Sequence, residues 1–284
     1  MVAQERRPIR NSSSMTSALD QSFRDWWFPV VRSQEIGLRH IHRSQLLNQE
    51  LAIWRDDDGQ INAWENRCPH RGTRLSIGLN TGAEIKCQYH GWRYASQSGQ
   101  CTFIPAHPAM EPSPRYCVNT YECIEKYGYV WVRLEKDNDE DTESLLPLAE
   151  NLSSTTLRSV YTMASATRIS DWLISECESQ LKVNFPSLEY SLTEIQQRHA
   201  FCLEALSINN QTDKSVTVFI YLNPLTDDAT VIHPLVNASI SPEIRLDEFR
   251  RYNRLFGTIR DVCETSNVCL LYTSDAADEG LGVD

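Results

Sequence analysis

Apolar and polar positions alternate in short runs over the first half of the chain and take up a helical rhythm only near its end. "WWFPVV" opens the ordered pattern at Trp26. The runs "LLNQELAIWR" and "QINAWEN" flank "DDDG", and an Asp-Gly turn between two such runs predicts a β-hairpin. "GAEIKC", "WRYAS" and "CTFIP" are shorter segments of the same kind, the last two parted by "SQSGQ". "CVNTYECIEKYGYVWVRLE" predicts two further strands joined through Lys126 and Gly128. Short strands at this spacing predict a small antiparallel β domain over residues 23–135.

The second half reads differently. Residues 136–144 are acidic and polar with no apolar period, the composition of a solvated linker. "RHAFCLEALSINN" and "SVTVFIYLNPL" predict a strand pair around "NQTDK", and "ATVIHPLV" a third strand. Ser241-Pro242-Glu243 supplies a cap, a first-turn proline and a first-turn acid. Ile244, Phe249, Tyr252, Leu255, Ile259 and Val262 then recur at helical spacing, predicting an amphipathic helix over 242–264. Residues 145–268 therefore form a second, α+β domain, and the fold class is α+β.

Composition narrows the function. With 41% hydrophobic and 23% charged residues the chain is an ordinary globular protein. A net charge of −11 argues against nucleic acid as a partner, because phosphates need a basic face. No apolar stretch is long enough to predict a membrane span. Nine cysteines without a secretory signal point to a reducing, cytoplasmic setting. Residues 1–22 read as a disordered tail; a transit peptide, or a start at Met15, is the alternative reading of the stretch before Asp20. "CLLYTSDAADE", residues 269–279, matches the translation of a sequencing-library adapter over 11 consecutive positions. Residues 269–284 are therefore set apart as a scar, with the natural chain expected to continue past Val268.

The chemistry concentrates in two loops, "CPHRG" and "CQYHGW". Cys68, His70, Cys87 and His90 form the pattern C-x-H-x16-C-x2-H. Two thiolates and two imidazoles suit either a structural zinc or an iron–sulfur cluster of mixed ligation. A zinc finger groups its cysteines together and its histidines together. Here each loop carries one of each, which suits two irons, one held by sulfur and one by nitrogen. Gly72 and Gly91 fit loops whose backbone approaches a cluster closely, and Arg71 and Trp92 are candidates for residues behind the ligands. Cys101, Cys117, Cys123, Cys177, Cys202 and Cys263 lack paired spacing and read as buried thiols.

The motif resembles that of Rieske [2Fe–2S] proteins, and "CPHRG" with "CQYHGW" is similar to the Rieske non-haem iron oxygenases. Thr73 and Gln88 stand where respiratory Rieske proteins carry a further cysteine pair. The stretch from "WWFPVV" to "CPHRG" resembles the α component of vanillate O-demethylase-like oxygenases. The resemblance implies a Rieske domain at 23–135 with Cys68, His70, Cys87 and His90 as ligands, and an incomplete, helix-grip-like catalytic domain behind it. It implies a reductase or ferredoxin donor, O2-dependent hydroxylation or O-demethylation of an aromatic or related small molecule, and a homotrimer. It also implies a mononuclear Fe(II) on two His and a carboxylate, carried by D-x2-H-x4-5-H, often after E-N-F. This chain departs from that pattern. Three residues after Asp171 stands Ile174, and after "VNF" at 183–185 stand Ser187 and Tyr190. No catalytic residue is assigned. His199 and His233 are a remote alternative pair, Asp171, Glu176 and Glu178 read as a solvated helix face before a metal carboxylate, and His40, His42 and His107 are ordinary polar residues. An electron-transfer protein, or an oxygenase remnant without the iron, is the alternative function.

Overall fold

The computed structural model describes residues 23–135, 154–184, 188–196, 199–207, 216–237 and 242–268. The tail 1–22, the linker 136–144, Ser241, residues 185–187 and the segment 269–284 lie outside the described residues. The first domain holds strands β1 (Phe28–Arg32), β2 (Ile41–Leu46), β3 (Gln49–Arg55) and β4 (Ile61–Glu65). Four short strands follow, β5 (Leu79–Asn80), β6 (Glu84–Lys86), β7 (Arg93–Ala95) and β8 (Cys101–Phe103), and then β9 (Thr120–Lys126) and β10 (Tyr129–Arg133). The long strands form a six-stranded antiparallel sheet in the order β1-β10-β9-β4-β3-β2, and the short ones a separate four-stranded sheet, β5-β6-β7-β8.

The alternation of side chains on the large sheet decides what it carries. Leu51, Ile53, Ala63, Val130 and Val132 enter one core. On the other face Ala52, Trp54 and Trp64 carry the small sheet, while Tyr129 and Trp131 meet the second domain. Every side chain of β10 is buried for that reason. The hairpin predicted at "DDDG" is present as β3–β4, with Gly59 at φ +82. The β9–β10 turn runs through Tyr127 and Gly128, both at positive φ, rather than through Lys126.

The second domain is a sheet in the order β11-β16-β15-β14-β13, with β12 also on β16. Its strands are β11 (Ser154–Thr156), β12 (Val160–Thr162), β13 (Leu188–Gln196), β14 (Ala200–Ser207), β15 (Val216–Thr226) and β16 (Ala229–Asn237). Two helices, α1 (Ala166–Asn184) and α2 (Pro242–Val268), cover one face. Ile169, Leu173, Cys177 and Leu181 of α1 meet Phe201, Leu203, Ile220 and Ile232 of the sheet. Each such side chain gains about 1.5–3 kcal/mol by leaving water. The other face packs Phe219, Tyr221 and Leu235 against Trp27, Tyr129 and Trp131. Leu47 N–H donates to Pro224 O at 2.8 Å and Tyr129 Oη donates to Pro234 O at 2.8 Å, joining the two domains.

The helix predicted over 242–264 runs four residues further, and its buried face differs by one position. Phe256 and Cys263 are buried, while Val262 is 40% exposed, because the 3.6-residue period carries the stripe past it. Among the described residues no helix is long and apolar enough to cross a membrane.

Candidate metal centre

The four predicted ligands lie at the tips of two loops built alike. In the first, the Cys68 amide donates to Thr73 O at 2.8 Å and the Gly72 amide to Cys68 O at 2.8 Å. In the second, the Cys87 amide donates to Trp92 O at 2.8 Å and the Gly91 amide to Cys87 O at 3.0 Å. Each six-residue loop is thus closed by its own backbone, cysteine to the fifth residue on and glycine back to cysteine. The closing glycines sit at φ +74 and +71, where a side chain is strained. That conformation, more than closeness to a cluster, is what requires glycine at positions 72 and 91.

The loops are anchored differently. The first follows β4. Asn66 holds Ser76 through both side-chain and backbone bonds, at 3.0 and 2.8 Å, and Arg74 grips Glu50 with two bonds of 2.7 Å. The second is the turn between β6 and β7, whose register pairs Lys86 with Arg93.

The geometry divides the four donors into two pairs. Cys68 and Cys87 are each 2% exposed and hydrogen-bonded to one another. His90 is exposed and His70 half-buried, with their Nδ1 atoms 3.2 Å apart. Two imidazole nitrogens on metal bonds of ~2.1 Å would subtend about 100° at that spacing, so both fit one metal. Among the described residues no three His, Cys, Asp or Glu side chains gather round a single point suited to one ion. A tetrahedral zinc needs four donors about one centre. A sulfur pair beside a nitrogen pair suits two metals, and the donor set fits a [2Fe–2S] cluster.

Electrostatics act differently on the individual donors. The hydrogen bond from Cys87 pulls the Cys68 thiol down, and the same bond pushes Cys87 up, so the pair prefers to share one proton. Burial, then the His90 ring, holds His70 below the usual imidazole range and so favours the neutral form.

Two neighbours complete the site. Trp92 stacks on His70 with centroids 4.4 Å apart and planes 8° from parallel, fixing that ring. Tyr94, fully buried on β7, places its hydroxyl 3.1 Å from Cys68 Sγ. Sequence reasoning singled out Trp92 and passed over Tyr94. Its signal was its place on the inward side of "WRYAS", two residues after Trp92. Cys101 lies buried in the same core. Cys117 is exposed, contrary to the buried reading, because it sits on the isolated bridge to Gln100 at the sheet margin. Segment 66–118 holds six Lys or Arg against two Asp or Glu, a basic region in a chain of net charge −11.

No second site assembles from the other predicted residues. His199 packs among Phe23, Trp26 and Phe28 at centroid distances of 4.6, 5.7 and 5.2 Å. His233 is buried on the opposite side of the sheet from the helices, with Nδ1 2.8 Å from Ser159 Oγ and its ring on Tyr129. Burial drives its pKa down to about 3. Asp171 and Glu176 face solvent, and Glu178 accepts the Leu192 amide at 3.0 Å instead of standing on a free face.

Comparison with known proteins agrees with the geometry. The model of the Rieske [2Fe–2S] domain matches residues 26–122. Oxidoreductase NdmD of Pseudomonas putida is 35% identical over 255 residues, 89% of this chain and 42% of that protein. Methylxanthine N1-demethylase NdmA of the same organism is 33% identical over 121 residues, 41% of this chain and 34% of that one. The chain thus spans less than half the length of these curated relatives. Dicamba monooxygenase bound to dicamba matches in fold with a TM-score of 0.69, at 15% identity, covering 92% of each chain. The chain carries a Rieske [2Fe–2S] domain, and its structural neighbours are Rieske non-haem iron oxygenases.

Proposed function

We propose that this Rieske protein serves an oxygenase system, accepting electrons from a reductase or ferredoxin for O2-dependent hydroxylation or demethylation of an aromatic or related small molecule. In this reading Cys68 and Cys87 hold one iron of the cluster and His70 and His90 the other. Bound there, a [2Fe–2S] cluster accepts and returns one electron at a time. The observation that carries the reading is the pair of self-closed loops, which bury the sulfur donors and turn the nitrogen donors outward.

The residues around the site divide the work. Trp92 keeps the His70 ring in place, and the exposed His90 edge is the short way in for a donor. Tyr94 offers a hydrogen bond to sulfur, favouring the more negative, reduced charge. The surplus of Arg and Lys around the loops suits an acidic donor surface. Electron handling is further supported by the relatives: the protein similar along most of this chain is named an oxidoreductase, and the demethylase is similar over less than half of it.

The test is spectroscopic. The purified protein is expected to be coloured, to contain iron and acid-labile sulfide in equal amounts, and to give a rhombic electron resonance signal after dithionite. Cys68→Ser or His90→Ala is expected to abolish all three. A variant that keeps the native spectrum overturns the ligand assignment.

A further inference from the structure

We infer that the second domain keeps an oxygenase fold without a mononuclear iron site, so that electrons entering at the cluster leave for an iron centre outside these residues. The inference rests on the cluster reading above and goes past it, because it places the O2 chemistry outside these 284 residues.

A two-His, one-carboxylate site needs two imidazoles on one metal. The chain has seven histidines, His40, His42, His70, His90, His107, His199 and His233, and all of them lie among the described residues. His70 and His90 belong to the cluster. His40 and His42 lie on or beside β2 of the first domain, and Glu35, the carboxylate acting on His42, is held by Arg32 at 2.6 Å. His107 is an exposed turn residue. His199 and His233 meet different aromatic groups of the first domain, Phe23, Trp26 and Phe28 for one and Tyr129 for the other. Neither His233 nor any other histidine joins a group of three donors suited to a metal ion among the described residues.

The helix that follows the first domain gives the same answer from its own side. In α1 the inward positions are Ile169, Leu173, Cys177 and Leu181, an unbroken apolar seam against the sheet. Its carboxylates lie off that seam: Asp171 and Glu176 are exposed, and Glu178 accepts the Leu192 amide of β13. The polar atoms buried nearby include hydroxyls of Thr162, Ser170, Tyr190 and Tyr252, with no imidazole or carboxylate among them. The cavity between the helices, lined by Gln180, Arg254, Thr258 and Asp261 among others, offers one carboxylate and no imidazole. Among the described residues, the helix-covered core of this domain thus presents hydrocarbon and hydroxyl groups, with no imidazole.

The electron balance is simple. Each cycle takes one electron from a donor protein and passes one to a ferric centre outside these residues, which becomes ferrous. No bond forms or breaks in this chain.

The experiment uses the full chain, purified anaerobically. Iron and acid-labile sulfide are measured per chain, and ferrous iron followed by nitric oxide is added to probe for a protein-bound ferrous–nitrosyl resonance. The expected result is about two irons and two sulfides, with no nitrosyl signal. His199→Ala and the milder His233→Gln are expected to leave that ratio unchanged. About three irons per two sulfides, with a nitrosyl signal that either variant removes, overturns the inference while leaving the cluster intact. Absence of sulfide and colour is a different failure, which removes the cluster reading and this inference with it.

Discussion

Both domains carry histidines and cysteines near aromatic rings, yet in one they gather into a set of donors suited to a metal centre and in the other they join a core. In the first domain, backbone-closed loops bring unlike donors together, with two imidazole nitrogens 3.2 Å apart. In the second, one histidine lies in the turn before β14 and the other on β16, the first packed among aromatic rings and the second beside the Ser159 hydroxyl and the Tyr129 ring. A ligand is thus defined less by residue type than by whether a loop can bend two donors toward one point.

The largest expected break in this comparison is in the second domain's core. Leu173→Ala should destabilise that domain by ~2–5 kcal/mol, the usual cost of an emptied buried leucine. Its cluster spectrum at low temperature should stay unchanged, and loss of colour in the folded variant would mean that the domains are not separate in this respect. Next comes acid. His233 is held neutral by burial, with its pKa down at about 3. The unfolded chain takes up that proton near pH 6.5 and the folded one only near 3, so stability is whole above about 6.5 and falls as pH drops between those values. The slope is up to ~1.4 kcal/mol per pH unit. Denaturant melts of His233→Phe should lose this slope; an unchanged slope would show that other groups carry it. The smallest effect is at the cluster. Tyr94→Phe removes a bond to Cys68 Sγ that favours the reduced charge. Voltammetry should find the midpoint lowered by some tens of mV, where ~59 mV is a tenfold change for one electron. A rise in potential would reverse the assigned role.

The sequence made the metal loops plain because their donors, glycines and turns sit at fixed short spacings that no ordinary strand needs. Tyr94 escaped because an inward aromatic on a strand is indistinguishable from core until its hydroxyl finds sulfur. The second domain was harder for a related reason. The period Ile169–Leu173–Cys177–Leu181 marks the inward side of a helix, and Asp171, Glu176 and Glu178 lie off that stripe, which suits a solvated face better than a metal site. Strand β13, "LEYSLTEIQ", is legible as alternation only once its partner β14 is known. The strands around "SVTVFIYLNPL" and "ATVIHPLV" were clear because both of their faces are buried, one under helices and one under the first domain.

Because each cysteine loop is clasped by its own main chain, the four hydrogen bonds of the two loops restrict the backbone around Cys68, His70, Cys87 and His90, which lowers the conformational entropy left to lose when a cluster binds.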